Sequence, residues 1–129
     1  MRMLGLAIGA ATVMAAQAAA ADARFEKSLQ MLAPAERLEQ LCDYTAMTQI
    51  RKDAKQLRPD RAVANAMAEP RVNNHTIEVK GGAFRSRRKL YELTYTCTAT
   101  PDHLAVVSFQ YKAGPEIPPA KWAGFGLSR

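Results

Sequence analysis

The part of the sequence best suited to chemistry is a cluster of positive charge in its second half. Arg85, Arg87, Arg88 and Lys89 place four cations within five residues, interrupted only by Ser86. Such a concentration of charge attracts anions, and the planar guanidinium group suits carboxylates and phosphates. We therefore expect an anion-binding site at these residues or, alternatively, a solvated turn whose charges keep a sheet edge from aggregating.

Two cysteines, Cys42 and Cys97, form the second chemical feature. In an exported chain, two cysteines most simply form one disulfide, and the N-terminus described below indicates export. Two buried free thiols are the alternative. If the cysteines are paired, neither can act as a nucleophile.

The other residue types that carry chemistry do not form a catalytic pattern. His75 and His103 have no neighbouring cluster of carboxylates or thiolates that would complete a metal site. Ser86 and Ser108 lack a plausible base and orienting acid, and no glycine-rich phosphate loop precedes a helix. The sequence therefore predicts no metal and no cofactor.

Two strand-like runs follow the basic cluster. Residues 91–98 alternate between apolar and polar side chains, with Cys97 on the apolar side, and residues 105–111 repeat the alternation. This period of two is typical of strands with one buried face. Pro101-Asp102 between the runs favours a turn, so we expect an antiparallel hairpin.

A third run, residues 76–86, precedes the cluster and contains Gly81-Gly82. Paired glycines inside a strand predict a bulge. If the chain continued straight into the next strand, three cations would share its buried face, which is too costly. The chain must therefore turn near Arg87-Arg88, and the three runs form a meander.

A helix from Pro34 to about Lys52 is predicted to cover this sheet. Its apolar stripe, at the spacing of an amphipathic helix, consists of Leu38, Leu41, Cys42, Thr45 and Ala46. The opposite face is expected to carry Glu36, Gln40, Asp43 and Met47. Both cysteines then face the core, which favours a Cys42–Cys97 bridge worth about 4 kcal/mol in the chain-entropy treatment.

Two segments outside these elements, residues 63–67 and the chain from Gly114 onward, show no extended pattern. Residues 63–67 can be strand or helix, and we favour a fourth, edge strand that follows a turn at Arg58-Pro59-Asp60. From Gly114 onward the chain is too rich in proline for a strand. A short helical turn there would dock both Trp122 and Phe125 on the core.

The first 21 residues have the features of a secretory signal peptide. Arg2 supplies the positive start, residues 4–16 a short apolar region, and the alanines that follow a cleavage site. The apolar region is too short to span a membrane as a helix, although an uncleaved N-terminal anchor is the alternative. The remaining residues, 22–129, are enough for one domain, which we expect in the periplasm.

The sequence thus predicts one α+β domain, an N-terminal helix packed on a three- to four-stranded antiparallel β-meander with one disulfide. The formal net charge of +6 favours an anionic envelope surface or an acidic protein as partner. Nucleic acid is not expected, because an exported protein seldom meets it and the aromatic residues are spaced for a core. We expect a monomer.

Two functional hypotheses remain. In the first, a non-catalytic periplasmic protein of the cell envelope binds an anionic component through Arg85, Arg87, Arg88 and Lys89. In the second, the chain is a small periplasmic hydrolase, or an inhibitor of one, with an active loop formed by Asp60-Arg61 and Arg85. Salt separates them, because charge-driven binding weakens as ionic strength rises whereas turnover persists.

Several motifs follow one another in a specific order over nearly the whole of residues 22–129. They are Leu38-Glu39-Gln40-Leu41-Cys42-Asp43, Ala46-Met47, Ile50, Pro59-Asp60-Arg61, Gly82-Ala83-Phe84-Arg85-Ser86-Arg87, Tyr91-Glu92-Leu93-Thr94-Tyr95-Thr96-Cys97, Phe109-Gln110-Tyr111, Ile117-Pro118 and Trp122. This series resembles the domain of unknown function 930 family, small exported bacterial proteins found chiefly in alphaproteobacteria. This chain has Arg88 where the family pattern has a glycine and Leu90 where it has an aromatic residue. The family has no established activity, so the resemblance implies none.

Overall fold

Two helices precede an antiparallel sheet in the computed structural model, which describes residues 23–127. Helix α1 covers residues 23–30 and helix α2 covers Pro34–Asp53. The strands are β1 Pro59–Val63, β2 Arg71–Asn73, β3 Thr76–Ser86, β4 Lys89–Ala99 and β5 Val106–Ile117. The predicted signal peptide and its cleavage site lie outside the described residues. Between residues 23 and 127, no helix is both long and apolar enough to cross a bilayer.

The sheet has the strand order β1-β3-β4-β5, and the short β2 pairs with the other end of β3. All pairings are antiparallel. The predicted meander of three strands is therefore confirmed as β3-β4-β5. The α+β class, with the helices before the sheet, is confirmed as well.

Helix α2 packs on one face of this sheet, which we call the inner face. The buried side chains of α2 include Leu38, Leu41, Cys42 and Ala46, all members of the predicted stripe. Cys42 is bonded to Cys97 of β4, with 6.1 Å between the two Cα atoms. The predicted disulfide is present and joins the helix directly to a central strand.

Asp43 was predicted on the solvent face of α2, and this prediction is wrong. Its side chain is only 4% exposed, and its carboxylate accepts a hydrogen bond of 2.7 Å from the hydroxyl group of Tyr95 in β4. Burial raises the pKa of Asp43 to about 7, although the Tyr95 hydrogen bond acts in the opposite direction. The sheet covers a wider part of the helix than the apolar stripe alone, so a polar residue beside Cys42 is also enclosed.

Two segments assigned as non-strand in the sequence belong to the sheet. The fourth strand is β1, Pro59–Val63, and residues 64–68 form turns and bends, so the strand predicted at residues 63–67 is misplaced. Pro59 is the first residue of an edge strand, where its missing N–H group removes no hydrogen bond that the sheet needs. Residues 114–117 continue β5 despite Pro115, because β5 is also an edge strand.

A smaller core lies on the outer face of the sheet, opposite α2. It consists of Ala66, Ala83, Leu90, Ile117 and Trp122. The indole of Trp122 donates a hydrogen bond of 2.8 Å to the carbonyl oxygen of Ile117. The prediction that Trp122 and Phe125 dock together is half wrong, because Trp122 is buried whereas Phe125 is 40% exposed.

Candidate anion-binding site

A bulge in β3 determines which face of the sheet Arg85 occupies. The pairing of β3 with β4 shifts between Val79 and Gly82, as the paired glycines predicted. A Cβ atom on Gly81 would lie 2.6 Å from the backbone nitrogen of Ala68, so this close approach requires glycine. The extra residue reverses the alternation, so that Phe84 faces the inner core and Arg85 faces outward.

The chain turns after β3 through Arg87 and Arg88, as predicted. Ser86 pairs with Lys89, which leaves a loop of two residues, and φ is 52° at Arg87 and 69° at Arg88. Two-residue turns with both φ angles positive match the twist of a hairpin, and they favour Asn and Gly. An arginine in this conformation costs of the order of 1 kcal/mol. Two arginines therefore occupy turn positions at which Asn or Gly is favoured.

Arg87, Arg88 and Lys89 are all exposed at this turn, and we refer to them as the basic tip. None of the three makes a side-chain hydrogen bond or ion pair with another residue in the described part of the chain. Their charges face only solvent there, so they remain free to contact a ligand or a surface.

Arg85 differs from the tip residues because it has a partner. Its Nε atom donates a hydrogen bond of 2.8 Å to the Asp60 carboxylate, and the two side chains are 27% and 59% exposed. The hydrogen bond from Arg85 lowers the pKa of Asp60. Asp60 is thus held as an anion that neutralises one of the cations.

Asp60 reaches Arg85 because β1 also contains a bulge. The pairing of β1 with β3 shifts between Pro59, which lies opposite Ser86, and Arg61, which lies opposite Arg85. Asp60 is the extra residue between them. The start of β1 is held further by Arg51 of α2, whose guanidinium donates a hydrogen bond of 2.6 Å to the carbonyl oxygen of Pro59.

Two further arginines, Arg58 and Arg61, lie at the same end of the sheet. The backbone nitrogen of Arg58 donates a hydrogen bond of 2.8 Å to the Ser86 hydroxyl group, and Arg61 pairs with Arg85 across the strands. Both are exposed. The sequence analysis assigned Arg58 to a turn and Arg61 to the loop of the second hypothesis. It did not predict strand β1, which places both of them beside the end of β3.

We call this region the basic end. It comprises Arg58, Arg61, Arg85 and the basic tip. Asp60, which is paired with Arg85, lies among these cations, and Glu92 and Glu116 lie on the adjacent strands β4 and β5, opposite Ala83 and Tyr91. The cations therefore outnumber the acids, and the arrangement is suited to binding an anion.

The chemistry of a hydrolase has less support from these contacts. The fold brings together Asp60, Arg61 and Arg85, as the second hypothesis requires. The Asp60 carboxylate, however, already accepts a hydrogen bond from Arg85. The hydroxyl group of the neighbouring Ser86 accepts a hydrogen bond from the backbone of Arg58. What these groups offer is positive charge and hydrogen-bond donors.

The two histidines meet far from the basic end. His75 Nδ1 lies 3.0 Å from His103 Nε2, and His103 Nδ1 lies 2.8 Å from the carbonyl oxygen of Pro34. A carbonyl oxygen only accepts, so Nδ1 of His103 is the donor in the second contact. His103 thus links the loop before β5 to the start of α2, and His75 links the same loop to the turn before β3. Within residues 23–127, no group of three His, Cys, Asp or Glu side chains is placed to hold a metal ion.

The fold and the basic end together define a small disulfide-linked α+β domain with a cationic hairpin at one end of its sheet. The chain belongs to the family described as Domain of Unknown Function (DUF930), whose profile matches residues 29–127. The resemblance noted in the sequence is thereby confirmed. No curated protein and no solved structure is significantly similar to the chain.

Proposed function

We propose that this protein is an exported, non-catalytic component of the bacterial cell envelope that binds anionic head groups through its basic tip. The observation that carries the proposal is the turn at Arg87 and Arg88, where two arginines occupy left-handed backbone positions and face solvent without partners among the described residues. Strain at such positions is commonly retained where the side chains have a function. The surrounding arginines extend the positive field.

Binding to anionic vesicles tests this proposal. The variant Arg87→Asn/Arg88→Asn/Lys89→Gln removes the three charges while keeping residues that tolerate the turn. Each basic residue near an anionic membrane contributes about 1 kcal/mol, so we expect binding to vesicles containing phosphatidylglycerol to fall by about 100-fold at low salt. Wild-type binding should also weaken steeply between low and moderate ionic strength.

A control with the same loss of charge separates the tip from net charge. Lys27, Lys55 and Lys112 are exposed and lie outside the basic end, and their replacement by glutamine is expected to change vesicle binding much less. An equal loss of binding in both triple variants would contradict the proposal. So would wild-type protein that fails to bind the vesicles at low salt.

Export is the second part of the proposal, and it makes a separate prediction. The charge and apolar pattern of residues 1–21 favours cleavage by a signal peptidase, and a disulfide forms and persists in an oxidising compartment such as the periplasm. We expect mass spectrometry of the periplasmic fraction to find a mature chain that begins between residues 18 and 23. A membrane-bound species that retains residues 4–16 would contradict export with cleavage.

A further inference from the structure

A pocket of about 240 Å³ lies on the outer face of the sheet beside the basic tip. Its lining includes the small apolar side chain of Ala83 and the larger one of Leu90, both of which are buried in the sheet. Phe125 and Leu127 from the C-terminal segment line another side, and φ at Gly126 between them is 68°. The pocket is therefore formed where the C-terminal segment passes over the sheet.

Two arginine residues line the same pocket. Arg61 and Arg85 both belong to the lining, and they lie directly opposite each other on adjacent antiparallel strands. Like charges in this position destabilise a sheet. Asp60 neutralises Arg85, whereas Arg61 makes no ion pair with any residue that the structure describes.

The lining thus combines an unneutralised arginine with apolar surface. Arginine recognises carboxylate and phosphate groups through paired hydrogen bonds, and Arg85 contributes only its Nε atom to Asp60, which leaves its terminal nitrogens for a second acceptor. An anion held between Arg61 and the terminal nitrogens of Arg85 would neutralise the charge of Arg61. Alanine and leucine beneath it would contact an apolar group attached to that anion.

The size of the pocket limits the ligand. The pocket is smaller than the cavities of about 300 to 1,000 Å³ that enclose drug-sized molecules. It suits a single anionic group with a short hydrocarbon part. A whole lipid does not fit inside it.

We propose that this pocket binds one carboxylate or phosphate group attached to a short hydrocarbon chain, with the anion between Arg61 and Arg85 and the chain against Ala83, Leu90 and Phe125. This site is distinct from the basic tip, because Arg87, Arg88 and Lys89 do not line the pocket. It goes beyond the proposed function, since it does not require the tip to bind a surface.

The test uses soluble ligands that vary the head group and the chain separately. Straight-chain carboxylates and monoalkyl phosphates of two to eight carbons are titrated into the protein below their aggregation concentrations, and binding is followed by NMR. Burial of one methylene improves affinity by about fourfold, so we expect this gain per carbon until the pocket is full and a plateau afterwards. The two series distinguish a carboxylate from a phosphate ligand.

Uncharged alcohols of the same chain lengths, together with acetate and inorganic phosphate, provide the probe controls. Because the site needs both parts of the ligand, we expect all of these to bind at least 10-fold more weakly than the best anionic chain. Affinity that is independent of chain length would overturn the proposal, because it would indicate a charged surface without a pocket. Absence of saturable binding by both anionic series would overturn it as well.

Two variants locate the ligand. Arg61→Gln is expected to weaken binding of the best ligand by at least 10-fold, whereas Arg88→Gln, with the same loss of charge at the same end of the sheet, should leave it nearly unchanged. Phe125→Ala, at an exposed position, should reduce the gain per carbon. Equal effects of Arg61→Gln and Arg88→Gln would overturn the assignment to this pocket.

The same measurements distinguish failure of the pocket proposal from failure of the proposed function. The triple variant of the basic tip should bind the short-chain anions like the wild type while losing its binding to vesicles. If the pocket proposal fails and the tip proposal holds, vesicle binding remains sensitive to the tip but no short-chain anion binds. If the reverse is true, the short-chain anions bind and the vesicles do not.

Discussion

Replacing both cysteines with alanine is expected to lower the free energy of unfolding by about 4 kcal/mol, the value for a bridge that closes a long loop. Cys42 and Cys97 are separated by 55 residues, so the bridge removes many conformations from the unfolded chain. The loss is large beside the 5–15 kcal/mol that is usual for the stability of a whole domain. For a chain of about 100 residues it corresponds to a melting temperature lower by about 20 °C.

Urea denaturation of the double variant, compared with the oxidised and reduced wild type, measures this effect. The variant and the reduced wild type should have similar midpoints, because both lack the same constraint. Thiol labelling of wild-type protein that is denatured without reductant should find no free thiol. Labelling at both cysteines, or a double variant as stable as the oxidised protein, would contradict the prediction.

Replacing Asp43 with asparagine is expected to have an effect that depends strongly on pH. The pKa of Asp43 is raised from 3.8 to about 7 by burial, so the folded state favours the neutral carboxyl group. The stabilisation from this neutral group is complete at pH values below the pKa that Asp43 has in the unfolded state. It is lost as the pH rises through the pKa that Asp43 has in the folded state. The wild type should therefore lose about 4 kcal/mol between pH 4 and pH 8 through this residue.

Asparagine stays neutral and keeps an oxygen that accepts the Tyr95 hydroxyl hydrogen bond. The stability of Asp43→Asn relative to the wild type should therefore increase by about 4 kcal/mol from pH 4 to pH 8, as measured by urea denaturation. Any change in the free energy of unfolding that the amide group causes independently of pH is the same at both pH values, so it cancels in this comparison. A difference that is equal at pH 4 and pH 8 would contradict the prediction.

Two further variants serve as controls for the buried carboxyl group. Tyr95→Phe removes the hydrogen bond that lowers the pKa of Asp43, so the loss of stability toward high pH should become larger. Asp53→Asn changes an exposed residue of the same helix that also accepts a hydrogen bond from a tyrosine hydroxyl, that of Tyr111, at 2.6 Å. It tests whether the effect belongs to the buried position rather than to any tyrosine-bound carboxylate of α2.

The two faces of the sheet differ in what the sequence could indicate. On the inner face, the alternation in β4 and the apolar stripe of α2 predicted which side chains meet, including Cys42 and Cys97. On the outer face, the second core includes Ala66 and Trp122, which come from segments without a regular pattern. Their positions depend on how the segments after β1 and β5 fold back over the sheet. Local periodicity in the sequence does not predict this.

The candidate site was predicted only in part. Arg85, Arg87, Arg88 and Lys89 are adjacent in the sequence, so their cluster at the hairpin was visible directly. Arg61 joins them through the pairing of β1 with β3, which links residues 24 positions apart. Because Pro59-Asp60 has the composition of a turn, the sequence interpretation placed the fourth strand too late. Its second hypothesis brought Arg61 and Arg85 together in a loop, and it did not predict that they pair across two strands.

The sequence by itself determined the features that depend on short-range patterns: the extent of α2, the three strands of the meander, the glycine bulge and the turn at Arg87-Arg88. Only the tertiary structure decided the features that depend on contacts between distant residues. Asp43 is buried because Tyr95, 52 residues later, covers it. The pocket exists because two bulges bring Arg61 and Arg85 together on the outer face and the C-terminal segment passes beside them. Burial and register are set by distant partners, whereas periodicity reports only on near neighbours in the chain.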